Sequence, residues 1–387
     1  MKTLKQFIGI LSIIAFVFAF TTCDLFGDND NNENNNNGND IPIIIVEPMI
    51  KTKWNQNAPF NNFVPMDGDS RSNVGCVAVA MAQIMKYHRY PEQGIGQGDS
   101  YTTSTGINVP IVNFEVIHNW DNMLDTYPSA TSGTLQEQNS VATIMYHAGV
   151  SVLMNYSASG SEPSINTAPP LINFFGYDKN IEYHIRNYYK NDAEWEAIIR
   201  EQLDSGLPII VSGGNHLGGG HRFIIDGYDN KGRFHINYGW GGNHDGWYTL
   251  DNMTYNRNQR IWINIKPCNG GIGTSVIALE SLTVDKSIVQ KNESFVLSVR
   301  LIGVGYFLGG QIGAVLVDNN GNIAEIMVRS TPFDELNVGT TRGSTITCRV
   351  NEAPPGQYQI KIVIKPTGGE WKVATLSIAD NLYITVQ

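Results

Sequence analysis

The sequence predicts an α+β domain followed by an all-β sandwich, and three observations support this fold class. Hydrophobic residues make up 42% of the 387 positions, which is enough for sizeable cores and for two or three domains. From Ile41 to about Pro267, helix-like and strand-like segments are mixed. From about Ser275 the segments become short, β-branched and alternating, with turns such as Asn320–Gly321 between them. This composition excludes global disorder, collagen and coiled coils.

The charge distribution disfavours a nucleic-acid partner. The chain has 26 Lys and Arg against 36 Asp and Glu, a net charge of −10, whereas nucleic-acid-binding domains carry a basic excess. Five acidic residues and no basic residue lie between positions 24 and 40, so half of the imbalance belongs to this short stretch. The four cysteines are too few and too scattered for a disulfide scaffold; Cys268 and Cys348 could pair or remain thiols.

The first 22 residues have the pattern of a secretory signal peptide. Lys2 and Lys5 precede the apolar run FIGILSIIAFVFAF, which is too short to span a bilayer of about 30 Å comfortably. Cys23 follows where the cleavage site belongs, and the string FTTC resembles the lipobox of bacterial lipoproteins. We therefore expect a lipidated Cys23. The alternative is an ordinary signal peptide with a coincidental cysteine.

Residues 23–45 are predicted to form an acidic, Asn-rich tether with almost nothing to bury. Signal, anchor and tether together predict a secreted chain attached by lipid to a bacterial outer membrane. Acidic residues directly after the lipidated cysteine resemble a surface-export signal of Bacteroidetes-type lipoproteins. That resemblance favours display toward the cell exterior over the periplasm.

Three helices are predicted in the α+β domain. The string CVAVAMAQIMKYHRYP has almost no charge before Lys86 and stops at Pro91, which predicts a mostly buried helix of about 13 residues. Residues 135–154 and 192–206 are further helix candidates, the second with Asp192 as N-cap and Gly206 just past its end.

Strands follow these helices. LPIIVSGG, HRFIIDGYD, GRFHINYGW and GWYTLDNM are predicted strands joined by Gly- and Asn-rich turns. Residues 275–387 contain about seven further strand-like segments, a number typical of an immunoglobulin-like sandwich.

Cys76 is the strongest candidate nucleophile. It opens the buried helix, and the partial positive charge at a helix N-terminus favours the thiolate form of cysteine. Gly75 directly before it would let a substrate backbone approach without meeting a Cβ. The alternative is a structural cysteine that happens to lie near a helix start.

Among eight histidines, local context favours His221 as the base. It follows three glycines and begins an apolar strand, so its imidazole would stand on a rigid element beside an open backbone. Pairing of that strand with the next, about the turn YDNKG, predicts that Asn237 lies near His221 and fixes its tautomer. His88 lies about 18 Å along the helix from Cys76, too far to act on it. A metal site at His216 and His221 lacks a third clustered ligand, so no metal is predicted.

Three strings carry a family resemblance. NVGCVAVAMAQIMKYHRYP looks like the nucleophile helix of streptopain-like cysteine peptidases, a bacterial branch of the papain-like proteases. GGGHRFIIDGYDNKGRFHINYGWGGNHDGWYTLDNM resembles that family's histidine hairpin, and KTKWNQNAPFN matches its opening segment. The resemblance implies a papain-like domain over residues 46–270, with the β-sandwich domain at 275–387.

The resemblance also implies roles for individual residues. Cys76 would be the nucleophile, His221 the general base and acid, and Asn237 the residue that orients His221. Gln56 would donate to the oxyanion together with the backbone N–H of Cys76. The implied reaction is endopeptidase cleavage of proteins or peptides through a thioester acyl-enzyme, with no cofactor.

Trp240 matches a family tryptophan that shields the histidine from water, and Ser161 and Gly220 match positions that line the substrate cleft. Arg222 departs from the family, which usually has a small residue there, and Tyr238 replaces an aromatic residue that is often Trp. We expect Arg222 to point away from His221 and to lie at the rim of the cleft or outside it.

Regulation and alternative functions follow from the same resemblance. Only 30 residues separate Cys23 from Trp54, so we expect no folded inhibitory propeptide, while a protein inhibitor remains a conceivable partner. One alternative is a non-catalytic surface binding or adhesion protein on a papain-like scaffold. Another is a related amide hydrolase, of transglutaminase-like or peptidoglycan-cleaving type.

Overall fold

The computed structural model describes residues 42–271, 273–374, 376–377 and 382–387. The predicted signal peptide, the lipidation site Cys23 and most of the tether lie outside these residues. Ile44–Gln387 forms one compact unit. Within the described residues, no helix is both long enough and apolar enough to cross a membrane.

The described part of the chain contains four α-helices. They are α1 (Cys76–His88), α2 (Leu135–Ser151), α3 (Ala168–Phe175) and α4 (Asp192–Asp204). The predicted 13-residue helix at Cys76 is confirmed, and its residues from Val77 to Met85 are all buried. The predicted N-cap of α4 is wrong by one residue, because the side chain of Asn191, not Asp192, accepts the N–H of Glu194.

Seven antiparallel strands form the sheet of the α+β region. They are β1 (Ile44–Val46), β2 (Glu182–Ile185), β3 (Ile209–Gly214), β4 (Gly220–Asp229), β5 (Phe234–Asn237), β6 (Gly246–Tyr248) and β7 (Arg257–Ile263). Their order is β2-β7-β3-β4-β5-β6, with β1 also paired to β4. The sheet separates two apolar cores. Ile224 and Trp262 pack into the core that contains α1, whereas Phe223 and Ile225 pack into the core that contains Trp195 of α4.

Short elements connect the larger ones. Four pairs of two-residue strands occur, namely Met66–Asp67 with Ser70–Arg71, Gln97–Gly98 with Val112–Asn113, Tyr101–Thr102 with Asn108–Val109, and Met154–Asn155 with Glu162–Pro163. Two 3₁₀ turns lie at Trp120–Asn122 and Arg186–Tyr188.

The C-terminal region is built from two sheets. Its strands are β8 (Ile277–Val284), β9 (Ile288–Val289), β10 (Ser294–Gly303), β11 (Gly310–Val317), β12 (Ile323–Phe333), β13 (Thr341–Arg349), β14 (Gly356–Pro366), β15 (Lys372–Val373), β16 (Leu376–Ser377) and β17 (Tyr383–Val386). One sheet has the order β13-β10-β8-β16, and the other β9-β17-β14-β11-β12 with β15 on β14.

Alternating side chains of both sheets, such as Leu297 and Ile362, fill one core between them, as expected of a sandwich. The buried Cys348 belongs to this core, while Cys268 is exposed near the end of the α+β region. The immunoglobulin-like assignment remains a prediction.

The α+β region and the sandwich share apolar packing. Ile302, Val304 and Val338 of the sandwich belong to the same buried cluster as the residues of α1. The carbonyl of Val304 also accepts the N–H of Tyr183 on β2 at 2.7 Å. The hydrophobic core therefore crosses the predicted boundary at residues 270–275.

Candidate active site

Cys76 is held at the first position of α1 by a crowded backbone turn. Gly75 has φ 91°, a conformation that disfavours residues with a side chain. A Cβ at position 75 would lie 2.7 Å from the Cε of Met154 and 3.0 Å from the carbonyl oxygen of Ser161. Only glycine fits this turn, which gives Gly75 a structural role, while its part in substrate approach stays a prediction.

The thiol of Cys76 lies against the strand that carries His221. Backbone N–H groups of Arg222 and Val77 interact with the partly buried sulfur, and Arg222 directly follows His221 on β4. Burial raises the pKa of the thiol, while the positive charge of Arg222 opposes that rise. The fold therefore places the Cys76 sulfur beside the residue that directly follows His221.

His221 is only 7% exposed and its ring orientation is fixed by a backbone carbonyl. Its Nε2 lies 2.8 Å from the carbonyl oxygen of Tyr238. Because a carbonyl can only accept a hydrogen bond, Nε2 must carry the proton, and Nδ1 of the neutral ring is left as an acceptor. Burial lowers the pKa of His221 to about 4, so the imidazole is neutral at pH 7 and able to accept a proton.

Aromatic rings cover His221. The Trp240 ring lies 4.5 Å from the imidazole and the Tyr255 ring lies 5.0 Å from it, measured between centroids. Trp240 also stacks on Tyr238, the residue whose carbonyl binds the imidazole. These rings lie close to the imidazole and to Tyr238, and the role of Trp240 in shielding the histidine from water stays a prediction.

Asn237 does not make the predicted contact with His221. In the register of β4 and β5, Asn237 lies opposite Ile224, three residues beyond His221, because the two strands pair about Lys231, which is later in the chain than the sequence pairing assumed. Its Nδ2 instead donates to the carbonyl of Thr52 at 2.9 Å. The carbonyl of Tyr238, the next residue in the chain, accepts the hydrogen bond from His221 that was predicted for the Asn237 side chain.

Gln83 is a site residue that the sequence reasoning missed. It is 1% exposed in α1, and its Nε2 donates to Oδ1 of Asn237 at 3.0 Å. Its Oε1 accepts the hydroxyl of Thr52 at 2.8 Å and lies 3.4 Å from the N–H of Trp54. Gln83 thus connects the nucleophile helix, the histidine hairpin and the segment that contains Gln56. The feature of the sequence that could have indicated Gln83 is that it is the one amide side chain within the apolar part of the helix.

The main chain around Gln56 is fixed on two sides. The carbonyl of Gln56 accepts the N–H of Val74 at 3.0 Å, two residues before Cys76, and its own N–H donates to Oδ1 of Asn55 at 2.7 Å. The carbonyl of Trp54 accepts the N–H of Gly241 in the hairpin that follows Trp240. The side chain of Gln56 is partly exposed, as an oxyanion donor must be.

The two predicted cleft-lining residues differ in exposure. Ser161 is buried, and its hydroxyl donates to the carbonyl of Asn73 at 2.8 Å, so it supports the turn that leads to Cys76. Gly220 is exposed at the start of β4, where a Cβ would meet no atom nearer than 3.9 Å.

The profile of the Peptidase C10 family matches residues 54–248, half of the chain. The chain belongs to the Peptidase C10 family. The matched residues contain Gln56, Cys76, His221, Asn237 and Trp240, and the match confirms the resemblance to streptopain-like cysteine peptidases.

Individual relatives agree with this family. Streptopain of Streptococcus pyogenes is 34% identical over 230 residues, which cover 54% of this chain and 56% of streptopain. The thiol protease/hemagglutinin PrtT of Porphyromonas gingivalis is 28% identical over 342 residues, 82% of this chain and 38% of PrtT. The chain therefore spans about half, or less, of the length of these relatives. A match over 82% of the chain necessarily extends into the C-terminal sandwich.

Solved structures confirm the papain-like fold of the C10 region. Active wild-type interpain A of Prevotella intermedia superimposes with a TM-score of 0.52 at 33% identity, covering 57% of this chain and 94% of that one. A prointerpain A fragment from the same organism gives a TM-score of 0.51 at 32% identity, covering 57% and 73%.

Other histidines of the C10 region have structural partners. His88 contacts the carbonyl of Ile265, His118 contacts His147, His184 binds Glu182, and His235 binds Asp226. The exposed His216 lies in the turn between β3 and β4. Within the described residues, no three His, Cys, Asp or Glu side chains form a cluster that could hold a metal ion.

Proposed function

We propose that this chain is a cysteine endopeptidase that cleaves protein substrates with Cys76 as nucleophile and His221 as general base and acid. The single observation that supports it most is the position of the Cys76 sulfur against the backbone N–H of Arg222, the neighbour of His221 on β4. The C10 family membership supports the same reaction.

The first half of the reaction begins from neutral partners. The thiol proton moves to Nδ1 of His221, and the sulfur attacks the scissile carbonyl carbon. The negative charge that develops on the carbonyl oxygen is stabilised by the backbone N–H of Cys76 and by the side-chain amide of Gln56. The imidazolium then gives its proton to the leaving amine, and a thioester joins the acyl group to Cys76.

The second half regenerates the enzyme. Neutral His221 accepts a proton from water, and the hydroxide attacks the thioester carbonyl. Collapse of the second tetrahedral intermediate releases the carboxylic acid product and returns the proton to the sulfur. The carbonyl of Tyr238 keeps Nε2 protonated throughout, so that Nδ1 is the atom that exchanges protons with substrate and thiol.

Supporting residues hold this geometry. Asn237 contributes through Gln83 and Thr52, which fix the hairpin against α1, instead of through a direct bond to His221. Trp240 covers the imidazole. Gly220 contributes open backbone for substrate, and Ser161 contributes by holding the turn before Cys76.

Replacement of the nucleophile tests the proposal. Cys76→Ala should abolish cleavage of casein and labelling by the epoxide inhibitor E-64, and Cys268→Ala, at an exposed cysteine near the end of the region, should change neither. Undiminished cleavage by Cys76→Ala would falsify the assignment. A wild-type protein that cleaves no protein under reducing conditions but binds a glycan or host ligand would favour the adhesion alternative, and cleavage of cell-wall peptides alone would favour the other hydrolase.

We also propose that the chain is secreted and anchored by a lipid on Cys23. The n-region, the apolar run and the acidic tether support this localisation. Cys23→Ser should move the protein from the detergent phase to the aqueous phase in a Triton X-114 partition, without loss of casein cleavage. Equal partitioning of the two proteins would contradict the anchor. Digestion of intact cells with an added protease would separate outward display from the periplasm.

A further inference from the structure

Arg222 occupies an unusual position beside the nucleophile. It follows His221 on β4, but its side chain lies on the opposite face of the strand, with its guanidinium carbon 4.1 Å from the centroid of the Trp262 ring. One guanidinium nitrogen donates to the hydroxyl of Thr167, which is fully buried at the start of α3. Arg222 therefore points away from His221 as predicted, yet it packs inside the protein and not on the rim of the cleft.

Among the residues that the structure describes, Arg222 has no anionic partner. None of the ion pairs in the described part of the chain includes it, and its buried Nε has no hydrogen-bond partner among these residues. Burial lowers the pKa of the guanidinium to about 10, so it remains charged at neutral pH. A buried cation without a counter-ion is costly, and such groups concentrate at functional sites.

The sulfur of Cys76 lies within electrostatic reach of this cation. Charge interaction between Cys76 and Arg222 favours both the thiolate and the guanidinium. The backbone N–H of Arg222 also donates toward the sulfur, so one residue offers the thiolate both a hydrogen bond and a positive charge. The first turn of α1 contains no acidic residue that would oppose them.

Apart from Arg222, the titratable groups nearest the Cys76 sulfur are uncharged at neutral pH. His221 is neutral at pH 7, and burial together with the nearby thiol raises the pKa of Tyr255, which is therefore neutral as well. Tyr183 on β2 and Arg260 on β7 also interact electrostatically with Arg222 across the sheet. Of these groups, Arg222 is the charged one that acts directly on the Cys76 sulfur.

We propose that Arg222 is a positioning residue for the peptidase reaction, whose fixed guanidinium stabilises the thiolate of Cys76 when the thiol proton passes to His221. The inference rests on the proposed function only in naming Cys76 as the nucleophile. In the step itself the S–H bond breaks, the sulfur keeps the electron pair and Nδ1 takes the proton, so no further reactant is needed.

The test is a titration of the Cys76 thiol that does not depend on peptide cleavage. The rate of alkylation by iodoacetamide is measured from pH 5 to pH 10 in the full-length protein, with mass spectrometry of the Cys76 peptide to separate it from other cysteines. Arg222→Gln should raise the apparent thiol pKa by about one unit, which lowers the thiolate fraction at neutral pH about tenfold. Arg222→Lys should restore most of that loss because it keeps a positive charge.

Two further variants keep the test decisive. Arg222→Met retains an apolar stem that can pack on Trp262 and should show the same rise in thiol pKa as the Gln variant, even if the Gln variant does not fold. Arg260→Gln removes an exposed arginine of β7 that faces Arg222, and it should leave the thiol pKa within about 0.3 unit of the wild type. A folded Arg222→Met protein with an unchanged thiol pKa, or a Lys variant as impaired as the Met variant, would overturn the inference.

The outcomes also separate this inference from the proposed function. If the thiol pKa depends on Arg222 while the wild-type protein cleaves no substrate, the electrostatic role stands and the peptidase proposal fails. If casein is cleaved by wild type and charge-neutral variants alike, with equal thiol pKa, the peptidase proposal stands and Arg222 has no part in it.

Discussion

The α+β region and the C-terminal sandwich differ sharply in what they bury. Of the buried polar and charged side chains in the described residues, Glu325 alone belongs to the sandwich, whereas the α+β region buries residues such as Gln83, His147, Asp226 and Asn237. The sandwich core otherwise consists of apolar side chains. Both regions therefore have well-filled cores, and the difference lies in the polar groups placed within them.

The buried polar groups also act over different ranges. The carboxylate of Glu325 accepts N–H groups of Asn351, Glu352 and Ala353 and so caps one local turn. Asp226, by contrast, accepts the N–H of Ile50, which is 176 residues away in the chain. Because a buried polar group is destabilising unless it is hydrogen-bonded, a region that keeps many of them gains positional accuracy at the expense of stability. The candidate active site lies in that region.

The largest effect is expected where a polar side chain faces substrate instead of the core. Gln56→Ala should lower kcat about 10²- to 10³-fold, because the oxyanion loses one of its two donors. Thermal unfolding should change little, since the side chain is partly exposed. Asn57→Ala, at the exposed neighbouring amide, is the matched control and should retain full activity. Equal kcat values for the two variants would remove Gln56 from the oxyanion site.

The next largest effect concerns the buried connections themselves. Gln83→Leu should destabilise the protein by about 3 kcal/mol, because it leaves Thr52 and Asn237 with unmade hydrogen bonds in the core. Ile362→Val in the sandwich core should cost about 1 kcal/mol, as expected for loss of one methylene. Urea unfolding measures both. A Gln83→Leu protein no less stable than Ile362→Val would contradict the importance assigned to the polar network.

Buried histidines should make the α+β region sensitive to acid. Burial, reinforced by neighbouring His118, lowers the pKa of His147 to about 3, while an unfolded histidine has its ordinary pKa near 6.5. The unfolded state therefore binds the proton first, and stability falls as pH drops from about 6.5 toward 3. The expected loss from His147 is about 2 kcal/mol at pH 5 relative to pH 7.

His147→Gln should reduce the slope of unfolding free energy against pH between 7 and 5. His216→Gln, at an exposed histidine, is the control and should leave the slope as it is. Because His118 and His221 also have lowered pKa values, part of the acid sensitivity should persist in the His147 variant. An unchanged slope would show that His147 does not remain neutral in the folded protein.

The smallest effects should be equal in the two regions. Asp121 pairs with Arg89 at 2.7 Å in the α+β region, and Asp334 pairs with Arg342 at 3.2 Å in the sandwich, with both carboxylates more than four-fifths exposed. Asp121→Ala and Asp334→Ala should each change stability by less than about 0.5 kcal/mol. A clear difference between them in urea unfolding would mean that surface charge, too, distinguishes the regions.

Sequence reasoning succeeded where pattern and local chemistry coincide. The helix from Cys76 was predictable because an apolar run, a preceding glycine and a terminating proline agree. His221 was chosen by its place between a glycine run and an apolar strand; the fold brings that strand to Cys76, and the role of His221 as base stays a prediction. The helix at Ala168–Phe175 was missed because its two prolines and short length give no periodic signal.

The failures occurred where one residue of register matters. The hairpin of β4 and β5 pairs about Lys231, later in the chain than the sequence pairing assumed, and Asn237 therefore lies opposite Ile224 and not beside His221. The hydrogen bond from His221 to the carbonyl of Tyr238 could not be predicted either, because every residue carries the same main-chain carbonyl group. The orientation of the Arg222 side chain away from His221 was predicted correctly. Its burial could not be predicted, because it depends on packing against Trp262, 40 positions later in the chain.

The apolar cluster that runs from α1 to Ile302, Val304 and Val338 has a consequence for how the molecule loses its structure. A cut in the segment at residues 270–275 would leave each half with apolar surface that the other half had covered, so neither half would keep its full stability. Heating should then melt the nucleophile helix and the sandwich in a single cooperative transition. We therefore expect the sandwich to act as part of the folding unit of the C10 region, so that its removal by another protease would also destabilise the candidate active site.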